Sequence, residues 1–297
     1  MDVLTPTKPR NVRREKTMRI WLWISLVANM GIVVTGGIVR LTGSGLGCPT
    51  WPRCTDDSFV AHPELGIHGA IEFGNRTLTF VLVAAALGAF IAVIRAVGPF
   101  TKLFWITLGV GIGIILQAVV GGVLVWLNLD PTLVSIHLIL SIALIVVCVW
   151  ALVLAYRREP TPVGPAVRAL TVVTFALVML SIWVGTLTTG AGPHAGDADS
   201  PRNGLDIEWI ARLHAMSAWL VVLATLACVV VFHRARLAYP QRVSLLLFAT
   251  VLLQGAIGYL QYFLGIPVGI VWMHMVGLVL LTAAAAWQLF TTKAETP

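Results

Sequence analysis

The chain has 297 residues, of which 58% are hydrophobic and only 11% are charged, and its mean hydropathy is +0.90. A composition this apolar is typical of a membrane protein with several spans and excludes a soluble globular domain. The net charge of +7 does not indicate a nucleic-acid partner. The basic residues lie in short segments between apolar runs, where they set the orientation of the protein in the lipid bilayer.

Eight apolar runs are each long enough to cross a bilayer, which takes about 20 residues of helix. We therefore predict an all-α polytopic membrane protein. The first run follows a basic tail but has full spanning length and no small-residue cleavage site, so we predict an uncleaved first helix. In chain order the runs are Ile20–Val39, Ile67–Ile94, Leu103–Leu127, Leu133–Tyr156, Leu170–Leu187, Ile210–Phe232, Val243–Leu264 and Val268–Phe290.

Most Lys and Arg residues fall in the N-terminal tail and in the segments after every second run. The positive-inside rule then predicts a multi-pass protein of the plasma membrane with both termini in the cytoplasm. The predicted parts are a basic cytoplasmic tail (1–19), an N-terminal four-helix bundle (20–156) with an outer loop (41–66), a cytoplasmic linker (157–169), a C-terminal four-helix bundle (170–290) with an outer loop (188–209), and a cytoplasmic tail (291–297).

An internal repeat relates the two halves of the chain. Gln117–Gly121 (QAVVG) reappears as Gln254–Gly258 (QGAIG), and in both copies a His follows the Gln by twenty positions, at His137 and His274. Each half contains four spans, an even number, so both halves insert with the same orientation. We predict two tandem four-helix bundles related by a pseudo-two-fold axis along the membrane normal.

The second run carries an unusual set of polar residues: His68, Glu72, Asn75 and Arg76. A charged side chain near the bilayer centre costs roughly 2.5–3.5 kcal/mol, so such residues usually face a bundle interior and indicate a functional site. His68, Glu72 and Asn75 share one helix face through their i, i+4, i+7 spacing. The alternative is that Arg76 reaches the interface and Glu72 only pairs with it.

Three histidines lie just inside the outer ends of the fourth, sixth and eighth runs, at His137, His214 and His274, and Asn75 holds the matching place in the second run. A single membrane His is usually a hydrogen-bonded structural residue. Three at one depth in repeat-related positions favour a ligand role instead.

Haem suits this pattern better than zinc, because zinc needs four close ligands whereas haem takes one or two axial imidazoles from facing helices. His214 and His274 can bind a haem on both faces, while Asn75 and His137 offer only one strong ligand. Arg76 and Arg212 are candidates to pair with haem propionates, although each can equally well reach for the interface.

Cys48 and Cys54 lie in the first outer loop, in the segment GSGLGCPTWPRC. Outside the cytoplasm this spacing can close a small disulfide. Two roles stay open for it: a redox-active bond, or a simple staple of the loop.

The segment VRLTGSGLGCPTWPRC (Val39–Cys54), the motif Glu72-x-x-Asn75-Arg76 and the three repeat-related histidines resemble the haem A synthase family over about residues 20–290. The resemblance implies an eight-helix fold of two four-helix bundles. It also implies oxidation of the haem O methyl group to a formyl group, with a resident haem b on His214 and His274. Haem O would bind the N-terminal half, where Glu72 would be essential, and the family's loop cysteines correspond to Cys48 and Cys54.

One departure from the family concerns the substrate site. Better-known members have Glu-x-x-His-Arg in the second helix, where this chain has Asn75. Either haem O has a single His ligand here, His137, or His68 replaces the missing one. The resemblance and a carboxylate base favour water as the oxygen source. A haem O synthase and a quinone, or another electron acceptor, are candidate partners.

Two other classes of protein share some of these features. A di-haem b-type cytochrome that exchanges electrons with quinone would use the same histidines, but it has no need of Glu72. A transporter with parallel repeats would place broken helices and polar groups near the midplane. Here the polar residues cluster at outer helix ends, so the haem enzyme is the favoured interpretation.

Overall fold

The computed structural model describes residues 11–295, so the predicted tails 1–19 and 291–297 lie partly outside the described residues. Within that range eight helices are long and apolar enough to span a membrane, which confirms the predicted polytopic helical fold. The pseudo-two-fold axis stays a prediction. The helices are α1 (Val12–Leu41), α2 (Gly66–Val97), α3 (Lys102–Trp126), α4 (Pro131–Ala155), α5 (Pro165–Ala191), α6 (Ile207–Arg234), α7 (Ala238–Phe263) and α8 (Val268–Phe290).

Helix α1 begins earlier than the apolar run alone predicts, within the basic tail. Asn11 caps it, since its side-chain oxygen accepts a hydrogen bond from the Arg14 amide at 3.1 Å. Glu15 in the first turn complements the positive end of the helix dipole. The polar cap therefore extends the helix by about two turns beyond the hydrophobic signal.

The helices that carry His137 and His214 begin at similar caps. Asp130 accepts from the amides of Thr132 and Leu133 ahead of α4, and Asp206 accepts from the Trp209 amide at 2.7 Å ahead of α6. These caps fix where each helix starts. His137 is consequently the seventh residue of α4, and His214 is the eighth residue of α6.

The chain divides into two compact units. Among the described residues, the first comprises 11–158 together with Gly196–Pro201, and the second comprises 159–195 and 202–295. Part of the second outer loop, Gly196–Pro201, therefore belongs to the first unit. The physical link is a hydrogen bond of 2.8 Å from the Gly45 amide to the Gly196 carbonyl.

In the first unit, α1 packs against α2 and α4, and α3 packs against α2 and α4. Small buried side chains on α2, among them Ala85, Ala89 and Ala92, let neighbouring helices approach closely. In the first turn of α1, Glu15 is buried and forms ion pairs with Arg157, just after α4, at 3.3 Å and with Arg19 at 3.8 Å.

In the second unit, consecutive helices from α5 to α8 pack against each other, and α5 also packs against α8. Two short strands, β1 (Thr161–Val163) and β2 (Thr292–Ala294), pair in parallel beside them. The Arg168 guanidinium donates to the carbonyls of Leu289 at 2.7 Å and Thr292 at 2.9 Å. Arg168 thereby closes the carboxyl end of α8, whose last carbonyl groups lack helical partners.

The close contact between α1 and α2 gives a test of this packing. A Cβ added at Gly88 would lie 2.4 Å from the Trp21 ring, so we expect Gly88→Ala to lower the free energy of unfolding by about 1–3 kcal/mol. Thermal denaturation in detergent measures the change. Gly31→Ala on α1 is the control, because nothing lies within 4 Å of its added Cβ. Equal melting temperatures for the two variants would contradict the packing.

Candidate functional site

Glu72 is buried in α2 with only 5% of its surface exposed, and both its oxygens have partners. Oε1 accepts from Arg76, one helical turn later, with a distance of 3.0 Å to Nε. Oε2 accepts from the backbone amide of Cys48 at 2.6 Å. The carboxylate therefore joins α2 to the first outer loop, and its pairing with Arg76 is one part of a larger arrangement.

Arg76 holds the segment 48–54, which we call the disulfide loop. Its Nη1 donates to the carbonyls of Thr50 at 2.8 Å and Arg53 at 3.1 Å, and its Nη2 donates to the Cys48 carbonyl at 2.9 Å and to Glu72. With Nε also bonded to Glu72, all five N–H donors of the guanidinium have acceptors. A haem propionate could bind Arg76 only by displacing one of these acceptors.

The disulfide between Cys48 and Cys54 is formed, and both cysteines are buried. The loop also approaches α2 at Gly47, where an added Cβ would lie 2.3 Å from the His68 carbonyl oxygen. Only glycine permits this contact between two backbones. The glycines of the loop motif thus serve the docking of the disulfide loop on α2.

His68 lies two turns before Asn75 and is exposed. Its Nδ1 is hydrogen-bonded to Ser44 Oγ at 2.9 Å, and Ser44 is bonded in turn to Thr42 at 2.7 Å. The structure thus ties His68 to the start of the outer loop. That His68 serves as the haem ligand in place of the missing second-helix His stays a prediction. Because Nδ1 is bonded to Ser44, His68 would have to bind the iron through Nε2.

His137 stands over a glycine of the neighbouring helix: an added Cβ on Gly121 would lie 3.6 Å from its Cε1. Gln117 fixes the same turn of α4, donating to the His137 carbonyl at 2.9 Å and to Ser141. The buried Nδ1 of His137 and Oδ1 of Asn75 have no hydrogen-bond partner among residues 11–295. Buried polar atoms are normally paired, so both are free to bind a further group.

His214 and His274 lie together in the second unit, with ring centroids 6.4 Å apart and planes at 80°. Each ring again stands over a glycine, Gly185 for His214 and Gly258 for His274. Gln254 donates to the His274 carbonyl at 3.0 Å, which is the bond that Gln117 makes to His137. The repeated Gln–His spacing in the sequence therefore corresponds to one hydrogen bond made once in each unit.

The geometry of this pair fits a haem. A metal–imidazole bond is about 2 Å, so two axial imidazoles place their ring centroids about 6 Å apart. The buried Nδ1 of His274 has no hydrogen-bond partner in the described part of the chain. The buried Nδ1 of His214 likewise makes no hydrogen bond of normal length and angle there. The glycines remove side chains where the rings need space. These residues can therefore hold a haem between them.

Arg212, the other predicted propionate partner, lies two residues before His214 with 75% of its side chain exposed. It forms an ion pair with Glu208 at 3.3 Å, one turn earlier on α6. An exposed pair of this kind contributes little to stability, so Arg212 can exchange Glu208 for another anion at small cost.

Three features were not predicted from the sequence. The motif residues Glu72 and Arg76 bind backbone groups of the disulfide loop, which residue spacing does not show. Gly185 lies beneath His214, although the repeat marks only the glycines near His137 and His274. The Trp51 side chain packs against Gly122 on α3. In the sequence, only its position between the two cysteines indicated that Trp51 was of interest.

The His214–His274 pair leads to a spectroscopic prediction. We expect the purified protein to show a low-spin haem b spectrum and His214→Ala or His274→Ala to abolish it, because a single imidazole cannot ligate a haem on both faces. Reduced-minus-oxidised spectra measure this, and His233→Ala, at the other end of α6, is the control. A low-spin spectrum retained in both alanine variants would refute the assignment.

Comparison with known proteins shows the family of this chain. Residues 19–196 match the family model COX15-CtaA, described as a cytochrome oxidase assembly protein. The chain is similar to the heme A synthases of Rhodopseudomonas palustris strains HaA2 and BisB5, at 25% identity over 91% and 96% of this chain and 89% and 92% of theirs. The heme A synthase of Rhizorhabdus wittichii is 24% identical over 92% of this chain and 93% of its own. The chain belongs to the COX15-CtaA family of cytochrome oxidase assembly proteins.

Proposed function

We propose that this protein is a haem A synthase, which oxidises the methyl group of haem O to the formyl group of haem A for cytochrome oxidase. Family membership and the names of relatives that match along nearly the whole chain support this proposal. The observation that carries it is Glu72, a buried carboxylate held between Arg76 and the Cys48 amide, one turn before Asn75. Its bonds to Arg76 and Cys48 have a structural use in either class of protein, but a protein that only transfers electrons needs no carboxylate base at this position.

The proposed reaction has two steps. In the first, the methyl group and one water give an alcohol, two protons and two electrons. In the second, the alcohol gives the aldehyde with release of two further protons and two electrons. The active site must therefore position water, accept protons and pass on four electrons in total.

Glu72 suits the first two of these tasks. A carboxylate has about four lone-pair directions, and three of them are occupied in the structure: two by Arg76 and one by the Cys48 amide. One acceptor position stays available on Oε2 for a water. The carboxylate can then act as general base on that water, or stabilise positive charge at the carbon under oxidation.

His214 and His274 would hold haem b by both faces, and Arg212 is the nearby cation available to a propionate. When bound there, haem b supplies a one-electron acceptor that carries electrons away from the substrate. Two imidazoles give tight, permanent ligation. The ultimate electron acceptor would be a quinone or another carrier in the membrane.

His137 and Asn75 would form the substrate site in the first unit. Only His137 is a strong iron ligand, which suits a molecule that must arrive and leave. We further propose that both termini face the cytoplasm, so that the sites lie towards the outer surface. A haem O synthase in the same membrane is the expected source of substrate.

The alternative function is a di-haem b-type cytochrome that exchanges electrons with quinone. The 6.4 Å separation of His214 and His274 suits that function equally well. The first unit does not favour it, because Asn75 stands where a second pair of imidazoles would need a His. Replacement of Glu72 separates the two functions.

We expect Glu72→Gln to lower haem A formation by about 10²–10⁴-fold, the usual contribution of a general base, and to leave the haem b spectrum unchanged. Chromatography of haems extracted from cells that also express a haem O synthase measures the product. Glu64→Gln, an exposed carboxylate ahead of α2, is the matched control. Undiminished haem A formation would remove Glu72 from the mechanism.

A further inference from the structure

Trp51 occupies a surface on α3 that only a glycine leaves open. A Cβ added at Gly122 would lie 2.3–2.7 Å from three atoms of its indole ring. The Trp51 carbonyl accepts from Trp126 Nε1 at 3.2 Å, and the two indoles meet edge to face with centroids 5.5 Å apart. Gly122 and Trp126 of α3 thus form a site that fits the Trp51 side chain, which we call the Trp51 seat.

The seat adjoins the ring of His137. Gly121, the preceding residue, lies beneath the His137 imidazole. Consecutive residues on a helix point about 100° apart, so Trp51 and His137 cover adjacent strips of α3 at one depth. Trp51 is only half-buried, so part of its surface is accessible to a ligand.

Arg76 determines where Trp51 lies. Its guanidinium bonds to the carbonyls of Cys48, Thr50 and Arg53, on both sides of Trp51 in the chain. Since these are backbone contacts, they fix the course of the disulfide loop whatever its side chains are. Loss of the guanidinium would release three carbonyls together.

We propose that Trp51 is a wall of the substrate site in the first unit, that the disulfide loop is its cover, and that Arg76 is the positioning residue that holds the cover closed. The ligand class that fits is a large flat aromatic macrocycle, because a partly exposed indole beside an imidazole can bind such rings by stacking or edge contact. This inference rests on the proposed function for the identity of the macrocycle, haem O.

The first experiment measures haem O release from the purified protein to apomyoglobin, with extracted haems separated by chromatography. We expect Gly122→Ala and Trp51→Ala to raise the haem O dissociation rate and the KM by about threefold to tenfold, with the haem b spectrum unchanged. Trp51→Phe should restore most of the affinity. Gly109→Ala, which meets nothing within 4 Å on the same helix, should behave as wild type.

A wild-type dissociation rate in Trp51→Ala would show that Trp51 does not line the substrate site. A wild-type rate in Gly122→Ala would show that the packing of Trp51 on Gly122 does not affect haem O binding. Wild-type protein that binds haem O without oxidising it would overturn the proposed function instead, and the ratio of dissociation rates would still decide this inference.

The second experiment tests Arg76 without reference to activity. Cys48 and Cys54 are at most 1% exposed, so the closed cover should protect their bond from a water-soluble phosphine reductant. We expect Arg76→Gln to increase the reduction rate several-fold, as measured by maleimide labelling, and to raise the haem O dissociation rate in parallel. Arg95→Gln, at the other end of α2, is the control. Unchanged rates in Arg76→Gln would overturn the positioning role.

Discussion

The burial of one carboxylate in an apolar helix organises the first unit. Glu72 is stable there only because Arg76 and the Cys48 amide satisfy its oxygens, and removing one partner of a buried pair typically costs 3–5 kcal/mol. Arg76 in turn finds its remaining acceptors on the disulfide loop. The Glu72 carboxylate, Arg76 and the disulfide loop are therefore held together by one set of hydrogen bonds, which keeps a carboxylate in an apolar helix one turn before Asn75.

The second constraint is the pairing of each imidazole with a glycine. His137, His214 and His274 all stand over glycines of a neighbouring helix, and two of them lie in helical turns held by a glutamine. This arrangement holds the rings in place while leaving the buried Nδ1 of each without a strong protein partner in the described part of the chain. The second unit brings two imidazoles to 6.4 Å, whereas the first unit offers one imidazole and an amide. The difference suits a resident haem in one unit and a substrate in the other.

Periodicity and charge distribution predicted the eight spanning helices, because bilayer thickness imposes a length that sequence composition reveals directly. The repeat likewise paired Gln117 with His137 and Gln254 with His274 by spacing, and the structure shows that each Gln donates a hydrogen bond to the carbonyl of its His. Contacts with backbone carbonyls were beyond such patterns, so the loop-binding role of Arg76 emerged only from the structure. The same holds for Gly196–Pro201, which joins the first unit through a backbone hydrogen bond to Gly45.

The central claim, that this protein makes haem A, is tested most directly by mass spectrometry of its extracted haems. The chain would be co-expressed with a haem O synthase in a host that lacks haem A, and the protein purified. The proposed function predicts haem A, or its hydroxylated intermediate, beside haem B. Haem B alone in stoichiometric amount would contradict it and favour the cytochrome, and the absence of any haem would contradict the ligand role of all three histidines.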